Sequence, residues 1–154
     1  MSTNLVPVPT VTQHWDTYCA GAQRADRDAP ARHIWRISRS VYVGTSRAEA
    51  EDHAASGTLR QSFEYLVAVL GSLGQLPLMK RDPAMADADV TPDYCLQELC
   101  ILGDTDSVTE QLRALHDDTG GFGTLLMIAH DWDDPDKWRA SMRRLAQDVV
   151  PRLP

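Results

Sequence analysis

The chain has 154 residues, of which 43% are hydrophobic and 24% are charged, the size and balance of a single ordinary globular domain over residues 1–154. Its net charge of -7 argues against nucleic acid or an anionic membrane surface as a partner, and no apolar run approaches the roughly 20 residues that span a bilayer. The amino terminus lacks the basic start and apolar run of a signal peptide. Three cysteines at spacings that match no zinc or redox motif lead us to expect a reducing cytoplasm.

The first half of the chain predicts one helix, one strand and two further helices. Residues 1–10 contain two prolines and are expected to be an irregular lead-in, followed by an amphipathic helix over residues 11–24. Residues 35–43 alternate between apolar and polar positions and predict a strand, although Arg39 breaks the apolar face. Capping boxes that begin at Ser46 and Thr58 predict two helices, which end near Gly57 and near Gly71 or Gly74.

The second half predicts two more strand-then-helix units. Residues 75–92 show no sustained periodicity and are expected to form a long loop or excursion, after which Thr91 and Pro92 could start a short helical piece. Residues 99–102 predict a short buried strand and residues 106–118 a helix. The apolar run 122–129 predicts a strand covered on both faces, and residues 134–151 predict the last helix. This alternation predicts parallel strands with right-handed crossovers.

The polar cluster after the third predicted strand is the first candidate for function, because ligands of parallel α/β folds lie at the carboxyl ends of strands. His130 could donate a hydrogen bond or carry a proton near neutral pH, and Trp132 could stack on a ligand. A structural role for both residues is the alternative. The acids at 133, 134 and 136 are expected to favour the positive end of the last helix. No second histidine lies at ligand spacing, so no metal site is predicted.

Two other stretches allow more than one interpretation. Residues 103–107 join a predicted strand to a helix N-terminus, where barrel folds often hold phosphate. Two aspartates there would repel an anion, which favours a capping role. The first strand has one unusually polar face, formed by Arg36, Ser38, Ser40 and Tyr42. That face could line the polar lumen of a barrel near a ligand, or it could be an exposed edge or a contact with another subunit.

Several of these stretches are similar to one family. Residues 112–151 closely resemble the C-terminal end of luciferase-like flavin-dependent monooxygenases. The resemblance rests on Gly120–Thr124, His130-Asp131-Trp132 and the closing Val149–Arg152. Within that superfamily the limonene-monooxygenase type matches best. Residues 32–36, 41–45 and 49–50 resemble the sixth strand of that family and the start of its helix. Residues 103–108 resemble the segment after its seventh strand, although the family usually has proline where Asp106 stands. The resemblance covers most of residues 11–152.

The resemblance implies an α/β fold, namely a partial (β/α) barrel of about three parallel strands with flanking helices, like the C-terminal part of a TIM-like barrel. It implies an oxidoreductase that uses reduced FMN and dioxygen on a small apolar substrate, with the flavin commonly supplied by a separate flavin reductase. The cofactor-binding residues would be Arg36, Gly103, His130 and Trp132, and His130 would also be catalytic. A closed barrel needs about 250 residues, so the first five strands, and much of the flavin-phosphate site, have no counterpart in this sequence.

These expectations lead to different functions. The chain could be a monooxygenase fragment or subunit that forms a homo-oligomer or pairs with a complementary barrel half, since three βα units alone leave two open sheet edges. It could instead be a non-catalytic accessory or ligand-binding protein derived from a truncated monooxygenase. It could also be a cofactor-independent enzyme with His130 as acid or base. A truncated gene product without a role is the remaining possibility.

Overall fold

The computed structural model describes residues 1–128 and 134–153. The described residues form nine regular elements in chain order: α1 (Val8–Arg24), β1 (Arg36–Val43), α2 (Arg47–Ser56), α3 (Thr58–Ser72), α4 (Pro92–Leu99), β2 (Cys100–Gly103), α5 (Thr105–Thr119), β3 (Thr124–Ile128) and α6 (Pro135–Arg144). Helix α6 continues through a π-helical turn, Leu145–Val149, into a 3-10 turn, Val150–Arg152. The predicted α/β class, with three parallel strands and flanking helices, is confirmed.

The three strands form one parallel sheet in the order β2-β1-β3, so the first strand lies in the middle. β1 pairs with β2 from Ser40↔Cys100 to Val43↔Gly103. On its other side β1 pairs with β3, and this ladder begins at Arg36↔Thr124. The chain therefore moves in one direction from β1 to β2 and then back past β1 to reach β3. Consecutive strands of a barrel lie side by side in chain order, whereas here β1 separates β2 from β3.

Helices cover both faces of the central strand. On one face Val41 and Val43 pack with residues of α5, among them Leu112. On the other face Tyr42 packs with Ala50 of α2 and Trp138 of α6. Two right-handed crossovers in opposite directions place their helices on opposite faces of a sheet, which accounts for this arrangement. All residues of β1 after Arg36 are buried, which excludes an exposed edge as the reason for the polar face.

The third strand differs from its prediction. Its apolar sequence predicted a strand covered on both faces, but β3 is an edge strand and none of its five residues is buried. The side chain of Leu126 is 37% exposed. The prediction was wrong for the described residues. An apolar run indicates only that burial of the strand is favourable, and in the described part of the chain no element lies on the outer side of β3.

The ends of the helices follow the capping signals in most cases. Ser46 accepts the backbone N–H of Glu49 at 3.1 Å and starts α2 as predicted. Helix α3 starts one residue earlier than its predicted box, because Gly57 and not Thr58 is the N-cap. Helix α1 begins at Val8 and so replaces part of the expected lead-in. Gly120 has a φ of 70° and ends α5 in the left-handed conformation that glycine tolerates.

The segment between α3 and α4 contains two short 3-10 helices, Leu76–Met79 and Asp87–Asp89. Met79 is fully buried and belongs to the largest apolar cluster, together with Phe63 of α3 and Leu99 of α4. The segment is thus packed against the helical layer. None of the described helices combines the length and the apolar character needed to cross a membrane.

Candidate functional site

β1 and β2 end side by side, and the residues that follow them form a crevice at the carboxyl edge of the sheet. The backbone N–H of Gly44 donates to the carbonyl of Gly103 at 2.8 Å. The chain then turns from Gly44 toward α2 and from Gly103 toward α5, on opposite faces of the sheet. In open α/β sheets this divergence marks the usual ligand site. The opening, here called the carboxyl-edge crevice, has a volume of about 430 Å³ and is lined by Gly44, Thr45, Asp104, Thr105, Asp106, Arg144 and Asp148.

Gly103 lies where the backbone requires a glycine. Its φ is 155°, and a Cβ atom at this position would lie 2.8 Å from the Cβ of Ser107. A larger residue would therefore collide with the first turn of α5 as well as adopt a conformation that L-residues rarely adopt. The glycine allows the end of β2 to approach the start of the helix that follows it.

The N-terminus of α5 is closed by the protein itself. The carboxylate of Asp104 accepts the backbone N–H of Ser107 at 2.9 Å. This hydrogen bond is the main reason that the pKa of Asp104 is lowered from its ordinary value. The predicted capping role of Asp104 is confirmed, and its negative charge disfavours an anion at this helix end.

The cationic side chains around the crevice are already bound to protein groups. Arg144 Nη1 donates to the carbonyl of Val43 at 3.1 Å. Arg47 pairs with Glu51 at 2.7 Å, and Arg152 pairs with Asp106 at 2.8 Å. A phosphate site normally needs free cations or an open helix N-terminus. The described residues of this crevice supply neither. They therefore fit the parts of FMN other than its phosphate.

The polar face of β1 carries a compact aromatic cluster in place of a wide lumen. The Tyr42 ring stacks with Trp138 at a centroid distance of 6.2 Å and lies 4.6 Å from the His53 ring. The Tyr42 hydroxyl donates to Glu49 Oε1 at 3.1 Å. A cavity of only about 20 Å³ borders these rings and Ser40, which is room for about one water molecule. Helices of the same chain therefore fill the face that could have lined a barrel.

The structure separates the predicted cofactor residues. Arg36 is exposed at the amino end of β1, opposite Thr124, whereas Gly103 is opposite Val43 at the carboxyl end. Seven residues of strand separate these positions, about 23 Å at 3.3 Å per residue. Arg36 and Gly103 therefore do not share one site within this chain. His130 and Trp132 lie outside the described residues.

Sequence reasoning did not assign roles to Arg39 and Ser141, two residues that stabilise the central strand of the sheet. Arg39 is only 2% exposed, and its Nη1 donates to the carbonyls of Thr3 and Ser38, each at 3.2 Å. Burial lowers its pKa to about 10. The break in the apolar alternation was a visible signal for Arg39, but nothing in the pattern of the last helix marked Ser141. Within the two described ranges no group of three His, Cys, Asp or Glu side chains could hold a metal ion.

The known proteins to which this chain is similar are monooxygenases. No family model matches the chain. Over 143 residues it is 29% identical to 3,6-diketocamphane 1,6-monooxygenase of Pseudomonas putida, covering 92% of this chain and 38% of that protein. It is 28% identical over 157 residues to limonene 1,2-monooxygenase of Rhodococcus erythropolis, covering 99% of this chain and 37% of the relative.

A solved relative extends this similarity to the fold. It is the oxygenating constituent of 3,6-diketocamphane monooxygenase from the CAM plasmid of Pseudomonas putida, a type II Baeyer-Villiger monooxygenase in complex with FMN. The TM-score is 0.82 at 28% identity, covering 96% of this chain and 41% of the relative.

The fold is α/β, and the comparisons relate the chain to one class of protein, the flavin-dependent monooxygenases. The resemblance inferred from the motifs is confirmed: the chain is a homologue of luciferase-like flavin-dependent monooxygenases, including the limonene-monooxygenase type. It spans about two fifths of the length of these relatives. The expected cofactor, FMN, is bound in the solved relative.

Proposed function

We propose that this chain is one part of an FMN-dependent monooxygenase, which uses reduced FMN and dioxygen on a small apolar substrate within an assembly in the cytoplasm. The observation that carries the proposal is the TM-score of 0.82, over 96% of this chain, to a relative in complex with FMN. The free state of all three cysteines is consistent with a reducing compartment.

In this proposal the carboxyl-edge crevice forms one wall of the flavin site. Reduced FMN supplies the electrons that activate dioxygen when it is bound. Gly103 allows the flavin to approach the backbone closely, and Trp132 provides a stacking surface. His130 donates a hydrogen bond to the substrate or carries a proton. Since Arg36 lies at the other end of β1, we assign it to a contact within the assembly and not to the same flavin.

A second polypeptide must complete the site. The N-terminus of α5 is capped by Asp104, and the nearby guanidinium groups are bound by protein partners. The phosphate of FMN therefore needs cations from a complementary polypeptide or from another copy of the chain. A separate flavin reductase would supply the reduced cofactor.

Flavin titration tests the proposal. Oxidised FMN is added to the chain alone, and to the chain mixed with a polypeptide that corresponds to the remaining three fifths of a relative, and flavin fluorescence is followed. We expect quenching in the mixture and weak or no quenching with the chain alone. An unperturbed flavin spectrum in both samples, at FMN concentrations far above those of the protein, would rule the proposal out.

The role of His130 needs its own test in the reconstituted mixture. His130→Ala should abolish substrate turnover but leave the circular dichroism spectrum and FMN quenching unchanged. His14→Ala, on the half-buried side of α1, is the matched control and should retain turnover. Retained turnover in His130→Ala would remove this residue from the mechanism.

A non-catalytic accessory or ligand-binding protein is the second candidate. Two observations favour it: Asp104 caps the N-terminus of α5, and the nearby arginines are bound to other protein groups. A protein without flavin chemistry has no need for a phosphate site. Such a protein would stabilise a partner enzyme, or bind a small apolar ligand, in samples where FMN has no effect. The titration described above separates the two candidates.

A further inference from the structure

A second crevice lies at the amino end of the sheet, opposite the carboxyl-edge crevice. It opens between α1 and the start of β1 and has a volume of about 370 Å³, and its lining includes Ser2, Trp15, Tyr18, Ile34 and Trp35. We call it the amino-edge crevice. The length of β1 separates it from the carboxyl-edge crevice, so the proposed flavin site does not use it.

The wall of the amino-edge crevice is mainly aromatic. The centroid of the Trp15 ring lies 5.0 Å from that of Trp35 and 5.8 Å from that of Tyr18. Both tryptophans are buried, whereas Tyr18 is 54% exposed and Ile34 is 48% exposed. Tyr18 follows Trp15 by three residues on α1, so the two rings lie on the same side of the helix. A concave, mostly apolar opening of this size with a few polar groups is typical of a small-molecule site.

The charge of Arg32 determines which kind of ligand suits these rings. Its guanidinium lies 4.9 Å from the centroid of the Trp15 ring and 5.4 Å from that of the Trp35 ring, so both rings already bind a cation. This guanidinium would repel a cationic ligand. An anionic ligand would lose its hydration against apolar rings, and Arg32 already donates to backbone carbonyls. The crevice therefore favours a neutral compound.

Ser2 adds a hydrogen-bond donor to this apolar lining. The residue is only 1% exposed, and its hydroxyl oxygen accepts the indole N–H of Trp35 at 3.0 Å. A serine hydroxyl also has a hydrogen to donate. Within residues 1–128 and 134–153 this hydrogen has no acceptor. Because a buried donor without an acceptor is unfavourable, a ligand oxygen that accepts from Ser2 would bind more tightly than a purely apolar ligand.

We propose that the amino-edge crevice binds a neutral aromatic compound of one or two rings that carries a hydroxyl or carbonyl oxygen. The ligand rings pack against Trp15 and Tyr18, and the ligand oxygen accepts the hydroxyl hydrogen of Ser2. An apolar cavity of about 150 Å³ holds one benzene molecule, so a crevice of about 370 Å³ has room for two fused rings. This inference does not rest on the proposed function, because the two sites lie at opposite ends of β1.

Titration with 2-naphthol, followed by NMR of the tryptophan indole N–H groups, tests the site. The resonances of Trp15 and Trp35 should shift together and reach saturation. The resonance of Trp138, which packs on Tyr42 toward the other end of β1, should stay in place. Naphthalene, which lacks the oxygen, should bind about fivefold more weakly because it leaves the Ser2 hydrogen without an acceptor. Naphthylmethylammonium should also bind more weakly than 2-naphthol, because Arg32 repels it.

Substitution of Tyr18 removes the exposed part of the wall. Tyr18→Ala should keep the circular dichroism spectrum of the wild type and bind 2-naphthol about tenfold more weakly. Tyr65→Ala is the matched control, because Tyr65 is also an exposed tyrosine on a helix, 68% exposed on α3. This variant should bind 2-naphthol as the wild type does. Ser2→Ala should bind 2-naphthol and naphthalene equally well, a comparison made within one variant.

Other results would overturn this inference. Absence of a saturable shift of the Trp15 and Trp35 resonances at millimolar 2-naphthol would do so, as would equal shifts of the Trp138 resonance. Equal affinities of Tyr18→Ala and Tyr65→Ala, or tighter binding of the cationic compound than of 2-naphthol, would contradict the proposed wall and its preference for neutral ligands. The flavin titration is independent of these measurements, so a failure of one proposal leaves the other standing.

Discussion

The hydroxyl of Ser141 accepts the backbone N–H of Val43 at 2.7 Å, which joins the last helix to the end of the central strand. Arg144, one turn further along, donates to the carbonyl of the same residue. In the described residues the ladder between β1 and β3 ends at Ser40↔Ile128. Two side chains of α6 thus take the place of a strand at the carboxyl end of β1, and they fix the helix beside the crevice.

Ser141→Ala should destabilise the fold by about 1–3 kcal/mol, because it leaves the fully buried N–H of Val43 without an acceptor. Urea denaturation followed by circular dichroism measures the free energy of unfolding. Ser72→Ala, at the exposed end of α3, is the matched control and should change this energy by less than about 0.5 kcal/mol. Equal effects of the two substitutions would show that the contact with Val43 adds no stability.

Gly123→Ala should prevent folding. A Cβ atom at this position would lie 1.6 Å from the carbonyl oxygen of His33, and a backbone atom cannot move aside as a flexible side chain can. Gly21→Ala in α1 meets only the end of Arg24 at 3.9 Å and should stabilise the chain by about 0.5–1 kcal/mol, since alanine favours a helix interior. Thermal melts of both variants check the contrast, and a folded Gly123→Ala would contradict the close approach.

Arg32→Lys should weaken the turn that precedes β3. The guanidinium of Arg32 lies 4.9 Å from the Trp15 ring and 5.4 Å from the Trp35 ring, and Nη1 donates to the carbonyl of Thr119 and, at 3.4 Å, to that of Gly121. Lysine cannot stack as a plane or reach both carbonyls. We expect a loss of about 1–2 kcal/mol and altered tryptophan fluorescence.

The control for Arg32→Lys is the same substitution at Arg27, in the exposed turn after α1. It should leave both the free energy of unfolding and the fluorescence spectrum close to those of the wild type. If Arg32→Lys behaves like Arg27→Lys, the stacked guanidinium has no structural role.

The stability of the chain should fall as pH rises above 9. Burial raises the pKa of the Cys100 thiol from 9.0 to about 12, so the thiol stays protonated in the folded chain but ionises in the unfolded chain. The contribution of this thiol is complete below pH 9 and is lost between pH 9 and 12. At pH 10 the loss from the Cys100 thiol is about 1 kcal/mol, and Cys95, whose pKa burial also raises to about 12, contributes a loss of similar size.

Urea denaturation at pH 8 and pH 10 checks this pH dependence. Cys100→Ala should be less stable at both pH values because of its cavity, but it should show a smaller difference between them. The range stops at pH 10 because the buried Arg39, whose pKa is lowered to about 10, acts in the opposite direction above it. Cys19→Ala is the control and should keep the slope of the wild type.

Local patterns were sufficient for most elements of this fold. The cap at Ser46 and the proline after Thr91 placed the starts of α2 and α4, because capping depends on residues within one turn. The start of α3 was missed because Gly57, which has no side chain to cap with, precedes Thr58. The motifs around Gly103 and Gly120 also carried the family resemblance. Arg36 and Gly103 could be grouped as cofactor residues only by that resemblance, since no local pattern measures their separation.

The sequence by itself determined the alternation of strands and helices, the caps and the relationship to flavin-dependent monooxygenases, because these depend on neighbouring residues and on motifs. Only the tertiary structure decided that β1 lies between β2 and β3, that helices cover its polar face, and that β3 is left with an open edge. The apolar run of β3 is compatible with a central strand or with an edge strand. Which of these it becomes depends on crossover direction and on distant partners, which no local pattern encodes.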